Sequence, residues 1–179
     1  PLSNTHLRRM FFLLPIEREV FLEPSMFGKG LVDQLRRKVQ SEFEGRVLES
    51  VGFCMCITGW TSTSKGKICD GGLASFVVAF QALFCCPYIG QVIDATVTSV
   101  DHIGAQCVAG PVSIFISHHQ MPQFTHSPEL GCWTSNENAA DTITTHTKLR
   151  LKITSVSLFQ KSVRTTGTLV GDYLGILHQ

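Results

Sequence analysis

The sequence is poor in charge and holds no signature of catalysis. Only 16% of its 179 residues are Asp, Glu, Lys or Arg, low for a chain that keeps its whole surface in water, so a partner is expected to cover part of its apolar surface. There is no Gly-x-x-x-x-Gly-Lys-Ser/Thr loop to cradle phosphates, no Gly-x-Ser-x-Gly nucleophile turn and no His-Glu-x-x-His helix to hold zinc. These absences argue against an enzyme, and no catalytic residue and no cofactor is assigned. Internal repeats and low-complexity tracts are also missing, and no secretory signal is expected. The segment from Gly71 to Ile93 has no charged residue, but Gln81, Pro87, Gly90 and Gln91 interrupt it, and Phe76, Phe80 and Phe84 recur with strand period. It is expected to be a buried strand, with no membrane association.

What charge there is nearly cancels, leaving a net +1. Ten basic residues face eight acidic ones through Tyr88, and five face six from Ile89 onward. Affinity for a phosphate backbone grows with the number of Lys and Arg contacts, so tight autonomous binding of a nucleic acid is not expected of the second half.

Cysteine is present in an odd number: Cys54, Cys56, Cys69, Cys85, Cys86, Cys107 and Cys132, with no Cys-x-x-Cys spacing. Several alternate with apolar residues in expected strands, which reads as reduced, buried thiol in a nuclear or cytosolic compartment rather than as metal or disulfide chemistry. His118, His119, His126 and Cys132 share one polar stretch, but their spacing matches no standard zinc site, and no metal is assigned.

The pattern predicts an α+β chain of two domains. Residues 1–9 read as a loose extension. Residues 10–88 read as a small sheet packed on one helix: a strand from Met10 to Val20 broken by Pro15, a loop from Pro24 to Gly30, and an amphipathic helix carrying Leu31, Leu35, Val39 and Phe43 and stopped at Gly45. Arg46 to Trp60 reads as one strand with Val47, Val51, Phe53, Met55 and Ile57 on a shared face. A turn at Asp70-Gly71-Gly72 then leads to a strand that places Phe76, Val78, Phe80, Ala82 and Phe84 together.

Residues 89–179 read as a β-barrel of the OB type. Gly90 is expected to let the first strand coil where a side chain would obstruct it, Asp101 to Gly104 to turn, and Gln106–Val108 and Ser113–Ser117 to supply two more strands. A polar insertion from His118 to Ile143, a strand from Thr147 to Leu158 and a closing strand from Thr165 to Val170 complete it. OB barrels offer ring faces for bases to stack on, which singles out Phe115 and His118, although Phe115 also suits the core. Lys148, Arg150 and Lys152 form a basic row that either touches phosphate or is the solvated face of a half-buried strand. Met26 and Phe27 read as exposed apolar loop residues, suited to docking or to local packing.

Taken in order, the parts resemble a known family. A strand beginning MFF, a Pro-x-x-Phe-Gly loop, a helix ending Glu-Gly, the stretch VGFCMCI, an Asp-Gly-Gly turn before a Phe-rich strand, the barrel segment and a closing DYLG together resemble the larger stalk subunits of RNA polymerases. This family comprises the polymerase II subunit, its archaeal counterpart and those of polymerases I and III. The DYLG ending favours polymerase II over polymerase III. The resemblance implies a tip domain followed by an OB domain, a heterodimer with the smaller stalk subunit, and docking on the polymerase core beside the RNA exit channel. By position it implies core-docking roles for Met26, Phe27 and Gly28 and for Asp70, Gly71, Gly72 and Leu73. It likewise implies RNA contacts at Ile103, Gln106 and Phe115, with Gln106 standing where an aromatic ring is usual. The implied protein is a non-catalytic nuclear subunit that touches nascent single-stranded RNA and supports initiation. The alternative is a free OB-fold RNA-binding or translation-type factor.

Overall fold

Alternation along the Phe-rich segment turns every second side chain to one face. In the computed structural model Phe76, Val78, Phe80, Ala82 and Phe84 are all buried on that face. The structure describes residues 10–28, 30–48, 51–69, 71–138, 140–159 and 161–177, so the N-terminal extension expected over residues 1–9 lies outside the described residues. Contacts divide the chain into two compact units, one ending at Cys86 and the other beginning at Pro87.

The first unit runs β1 (Phe11–Leu22), a 3-10 turn (Pro24–Met26), α1 (Leu31–Phe43), β2 (Arg46–Leu48), β3 (Gly52–Thr63), β4 (Lys67–Ile68) and β5 (Ala74–Cys85). Its sheet has the order β1-β5-β3-β2, with β4 added to β5. β1 is not broken at Pro15, which pairs with Gln81 inside a continuous ladder. As the edge strand, β1 can carry a residue without an N–H. In α1, Leu35 and Val39 are fully buried, and Leu31 and Phe43 pack beside them. The helix ends at Phe43, and the chain turns away at Gly45, whose φ of 71° is cheap only for glycine and whose N–H reaches the Cys54 carbonyl at 2.9 Å.

The segment expected to be one strand from Arg46 to Trp60 is a hairpin of β2 and β3. Register shifts between Cys54 and Cys56, Ile57 and Gly59, and Trp60 and Ser62 each insert a residue into β3. Every insertion reverses the alternation, so the odd-numbered face does not persist: Cys54 is buried, and Ile57 and Trp60 reach the core after it. Glu44 holds one of these irregularities by accepting the Ile57 N–H at 2.8 Å. The rings of Phe43 and Trp60 lie 5.5 and 6.4 Å from that of Phe80. One face of the sheet is thereby filled, whereas Phe11, Leu13, Phe21 and Val77 stay exposed on the other.

The second unit runs β6 (Val92–Asp101), β7 (Gly104–Ala109), β8 (Val112–Ser117), a 3-10 turn (His118–Gln120), β9 (Phe124–Ser127), β10 (Cys132–Ser135), β11 (Thr142–Ile143), β12 (Lys148–Phe159), β13 (Ser162–Thr168) and β14 (Gly175–Ile176). The order β13-β8-β7-β6-β12-β14 closes because β13 also pairs with β12, and β8 with β13 is a parallel pair. This is the five-stranded closed barrel of the OB type, with β14 attached at one end of β12. Its interior holds Val97, Cys107, Ile114, Ile116, Leu151, Ile153 and Val163, all fully buried.

Two expectations for this unit are corrected. Gly90 has a φ of 87° in the turn before β6, and a Cβ there would meet nothing within 4 Å; the backbone conformation, not space, calls for glycine. The stretch from His118 to Ile143 is not a polar loop but contains the three-stranded sheet β11-β10-β9. It buries Met121, Phe124, Trp133 and Ile143, and the Trp133 indole donates to the Asp101 carbonyl at 3.1 Å. Its apolar residues are too sparse in sequence to show a period until strand pairing gathers them.

Candidate functional site

The outward residues of four adjacent barrel strands fall into register. Gln106 on β7 sits opposite Phe115 on β8, Phe115 beside Thr166 on β13, and Thr166 opposite Ser155 on β12. The neighbouring row is Val108, Ser113, Arg164 and Ser157. Phe115 is half-buried and outward, between the fully buried Ile114 and Ile116. It is thus not a barrel-core residue. A hollow of about 400 Å³ opens beside it, lined by Gln106, Ser113, Phe115, Arg164 and Thr165. Gln106 turns its amide to Ser113, donating from Nε2 to Oγ at 2.7 Å. Thr165 donates to the Ser113 carbonyl at 3.3 Å.

Gly104 explains how the Phe115 ring lies where it does. A Cβ at Gly104 would stand 3.0 Å from Phe115 Cζ and 2.1 Å from the Ile116 carbonyl oxygen, so only glycine lets the strand and ring approach. Ile103, in the same turn and 52% exposed, accepts the His118 N–H at 3.0 Å through its carbonyl. Ile103, Gln106, Phe115 and His118 therefore gather around the β6–β7 turn and the face beside it. The His118 ring is 3.6 Å from that of His119.

The basic row lies apart from this cluster. Lys148, Arg150 and Lys152 occupy the first half of β12, paired with Thr96, Asp94 and Val92 of β6. Arg150 is engaged by Asp94 in a two-point pair, Nε to Oδ1 at 2.7 Å and Nη2 to Oδ2 at 2.9 Å. The hydrogen bond from Arg150 holds the Asp94 carboxyl below its usual range, and Arg150 is held above its own. Of the row left open between phosphate contact and a solvated strand face, Arg150 is paired with Asp94 on the surface, and Lys148 and Lys152 are exposed beside it.

Arg164 and Phe159 were not singled out by the sequence pattern. The closing strand begins at Ser162 rather than Thr165, so Arg164 is an outward strand residue between buried Val163 and Thr165. Phe159 is 51% exposed at the end of β12, with the Arg164 guanidinium carbon 5.3 Å from its ring centre. The alternation Val163-Arg164-Thr165 is the signal that could have found it.

In the first unit, Leu22 and Ala74 are paired residues, so the loops after β1 and before β5 leave the sheet at the same end. A Cβ at Gly72 would stand 3.8 Å from Pro24, which places the two glycine-bearing loops side by side. Gly71 and Gly72 have φ of 88° and 81°, and the loop is closed by hydrogen bonds from Cys69 to Leu73 and from Gly72 to Cys69. Met26 and Phe27 are exposed, Gly28 follows them, and Leu73 is half-buried. Asp70 lies outside the described residues. Ile68, at 84% exposure, belongs to the same end and escaped the sequence reading because it sits in a two-residue strand.

The thiols are chemically quiet where they are buried. Burial pushes Cys54 up to about 11, with Glu44 and Cys56 adding to it, and Cys85 and Cys107 up to about 12. The buried reading holds for Cys54, Cys85, Cys107 and Cys132, whereas Cys69 and Cys86 are half-buried and Cys56 is exposed. Cys132 is buried although its stretch is polar, because it lies in β10. Among the described residues no group of three or more His, Cys, Asp or Glu is placed to hold a metal ion, and no helix is long and apolar enough to cross a membrane.

Known proteins share this order of parts. Residues 17–72 match the family described as the SHS2 domain found in the N terminus of Rpb7p/Rpc25p/MJ0397. Over 172 residues the chain is 33% identical to the RNA polymerase II subunit RPB7 of Glycine max, covering 94% of this chain and 97% of that protein. It is 29% identical over 171 residues to RPB7 of Saccharomyces cerevisiae, covering 94% and 100%. With the RNA polymerase III subunit RPC8 of the same yeast, identity falls to 21% over 128 residues, 69% of this chain and 60% of that protein. A tip-type sheet with one helix, an OB barrel, and similarity running through both place it nearer the polymerase II proteins: the chain belongs to the family of the RNA polymerase II subunit RPB7.

Proposed function

We propose that this chain works as the larger, non-catalytic stalk subunit of RNA polymerase II in the nucleus, paired with the smaller stalk subunit. Its first unit docks on the polymerase core beside the RNA exit channel through Met26, Phe27, Gly28 and the loop from Asp70 to Leu73. Its barrel contacts nascent single-stranded RNA through the face around Ile103, Gln106, Phe115 and His118, and the subunit supports initiation. The observation that carries the reading is the pairing of two glycine-bearing loops at one end of the sheet, with Met26, Phe27 and Ile68 exposed there. Apolar residues left in water at a loop tip are costly unless a partner covers them. The uncovered face bearing Phe11, Leu13, Phe21 and Val77 offers area for the second subunit. RNA contact by this barrel is weak because it is nearly neutral and Arg150 is already paired.

The test is affinity purification of the tagged chain from nuclear extract, with and without the double change Met26→Asp, Phe27→Asp. The unaltered chain should bring down the large polymerase II subunits, and the variant should lose them while keeping the smaller stalk subunit. Recovery of RNA or translation factors without polymerase would instead identify a free RNA-binding factor.

A further inference from the structure

Resting on the reading of the barrel as an RNA-contacting surface, we infer that Arg164, braced on the Phe159 ring, forms with Phe115 a two-position clamp for single-stranded RNA. Phe115 stacks one base across the hollow, Arg164 takes the adjoining phosphate, and Phe159 receives the next base.

Register places these groups on one face. Ser113 of β8 lies beside Arg164 of β13, which lies opposite Ser157 of β12; one row away Phe115 lies beside Thr166. The hollow of about 400 Å³ between Phe115 and Arg164 is within the range of small-ligand sites. Both rings have free surface, Phe159 being 51% exposed. The guanidinium 5.3 Å from the Phe159 ring centre is held by its quadrupole while its N–H groups stay open. Among the described residues no carboxylate pairs with Arg164, in contrast to Arg150, which Asp94 neutralises.

The polar groups at the hollow suit a nucleotide rather than an apolar side chain. Ser113 accepts from Gln106 at 2.7 Å and so retains its own hydroxyl proton for an acceptor. Stacking of bases on rings along a strand, with a cation tracking the phosphate, is how barrels of this type hold single strands. An acidic peptide would satisfy Arg164 but would leave the two ring faces unused.

The experiment is fluorescence anisotropy of the full chain with labelled short oligouridylate over a salt series. Arg164→Gln should weaken binding several-fold and lower the slope of log affinity against log salt by about 0.7, the share of one phosphate contact in a single strand. Arg164→Lys should keep the slope, since the charge remains, yet bind less tightly without the planar guanidinium. Phe159→Ser and Phe115→Ala should each weaken binding by about tenfold with the slope unchanged. Thermal melts identify any variant that fails to fold, and the lysine variant then carries the comparison. If Phe115→Ala binds poorly while Arg164→Gln keeps the original affinity and slope, the clamp is wrong and the barrel's RNA contact stands. If the unaltered chain fails to bind, or the Arg164 and Phe115 variants both bind as it does, both readings fall. Displacement of the RNA by polyglutamate through Arg164 at equal affinity would make the hollow a carboxylate site and overturn the clamp.

Discussion

The two units bury their apolar residues by different means. The barrel closes on itself, so each strand has an interior side and the inward residues of β6, β7, β8, β12 and β13 need no further cover. The first unit is an open sheet with one helix. Its face toward α1 is filled by Leu35, Val39, Phe80 and Phe84, while Phe11, Leu13, Phe21 and Val77 remain in water on the other. A single 13-residue helix covers one side of a sheet and cannot cover two. The barrel is therefore complete as a folding unit, whereas the open sheet still has apolar area to lose to a partner.

The largest expected effect separates the cores. Each unit holds one of the two tryptophans, Trp60 and Trp133, so fluorescence can follow them individually once the other is replaced by Phe. Phe80→Ala removes a ring that touches Phe43 and Trp60 and should cost about 3–5 kcal/mol, lowering the denaturant midpoint seen by Trp60 and sparing that seen by Trp133. Equal shifts in both signals would show that the units melt as one. The reciprocal change, Gly104→Ala, drives a Cβ to 2.1 Å from the Ile116 carbonyl. Overpacking of this kind costs about 1–3 kcal/mol, and here the Trp133 signal should move alone.

Alkaline pH sharpens the contrast through the thiols. Folded Cys54, Cys85 and Cys107 are raised from 9.0 to about 11, about 12 and about 12. A raised value means stability that is fully present below pH 9 and is lost as pH climbs toward the folded value, by up to about 1.4 kcal/mol per thiol per pH unit. The first unit holds two of these thiols and the barrel one. Denaturant melts between pH 9 and 11 should therefore weaken the first unit more steeply, and Cys54→Ala should flatten its dependence.

Smaller effects are expected at the surface. Leu13→Ser, at a position 56% exposed, should alter stability by no more than about 0.5 kcal/mol while reducing self-association of the isolated chain in light scattering. Unchanged association would mean the open face is not what drives it. Asp94→Asn should matter least. The lowered carboxyl of Asp94 contributes stability above its ordinary 3.8 that is lost only as pH falls below that value. Because both partners are substantially exposed, salt screens the pair, and melting temperatures at neutral pH should coincide with those of the unaltered chain.

Sequence alone determined whatever depends on unbroken local periodicity. The alternation from Phe76 to Phe84, the four-residue recurrence from Leu31 to Phe43 and the alternation from Val112 to Ser117 each encode one face directly, because side-chain direction in a regular element follows from backbone geometry. The order of those elements was enough to point to the family. Tertiary structure decided the rest. Three register shifts in β3 undid its alternation, and pairing with β5 absorbed Pro15 into an edge strand. Strand pairing also gathered Met121, Phe124, Trp133 and Ile143 into a sheet that no local period announces. At the candidate RNA face, Phe115 and Gln106 were legible as strand residues, but whether a cation is available depends on its neighbours across the ladder. Arg150 meets Asp94 on β6 and is spent there, whereas Arg164 meets Ser113 and Ser157 and remains open. Charge is written in the chain, but its availability is set by cross-strand partners distant in sequence, which only the closed barrel brings within hydrogen-bonding reach.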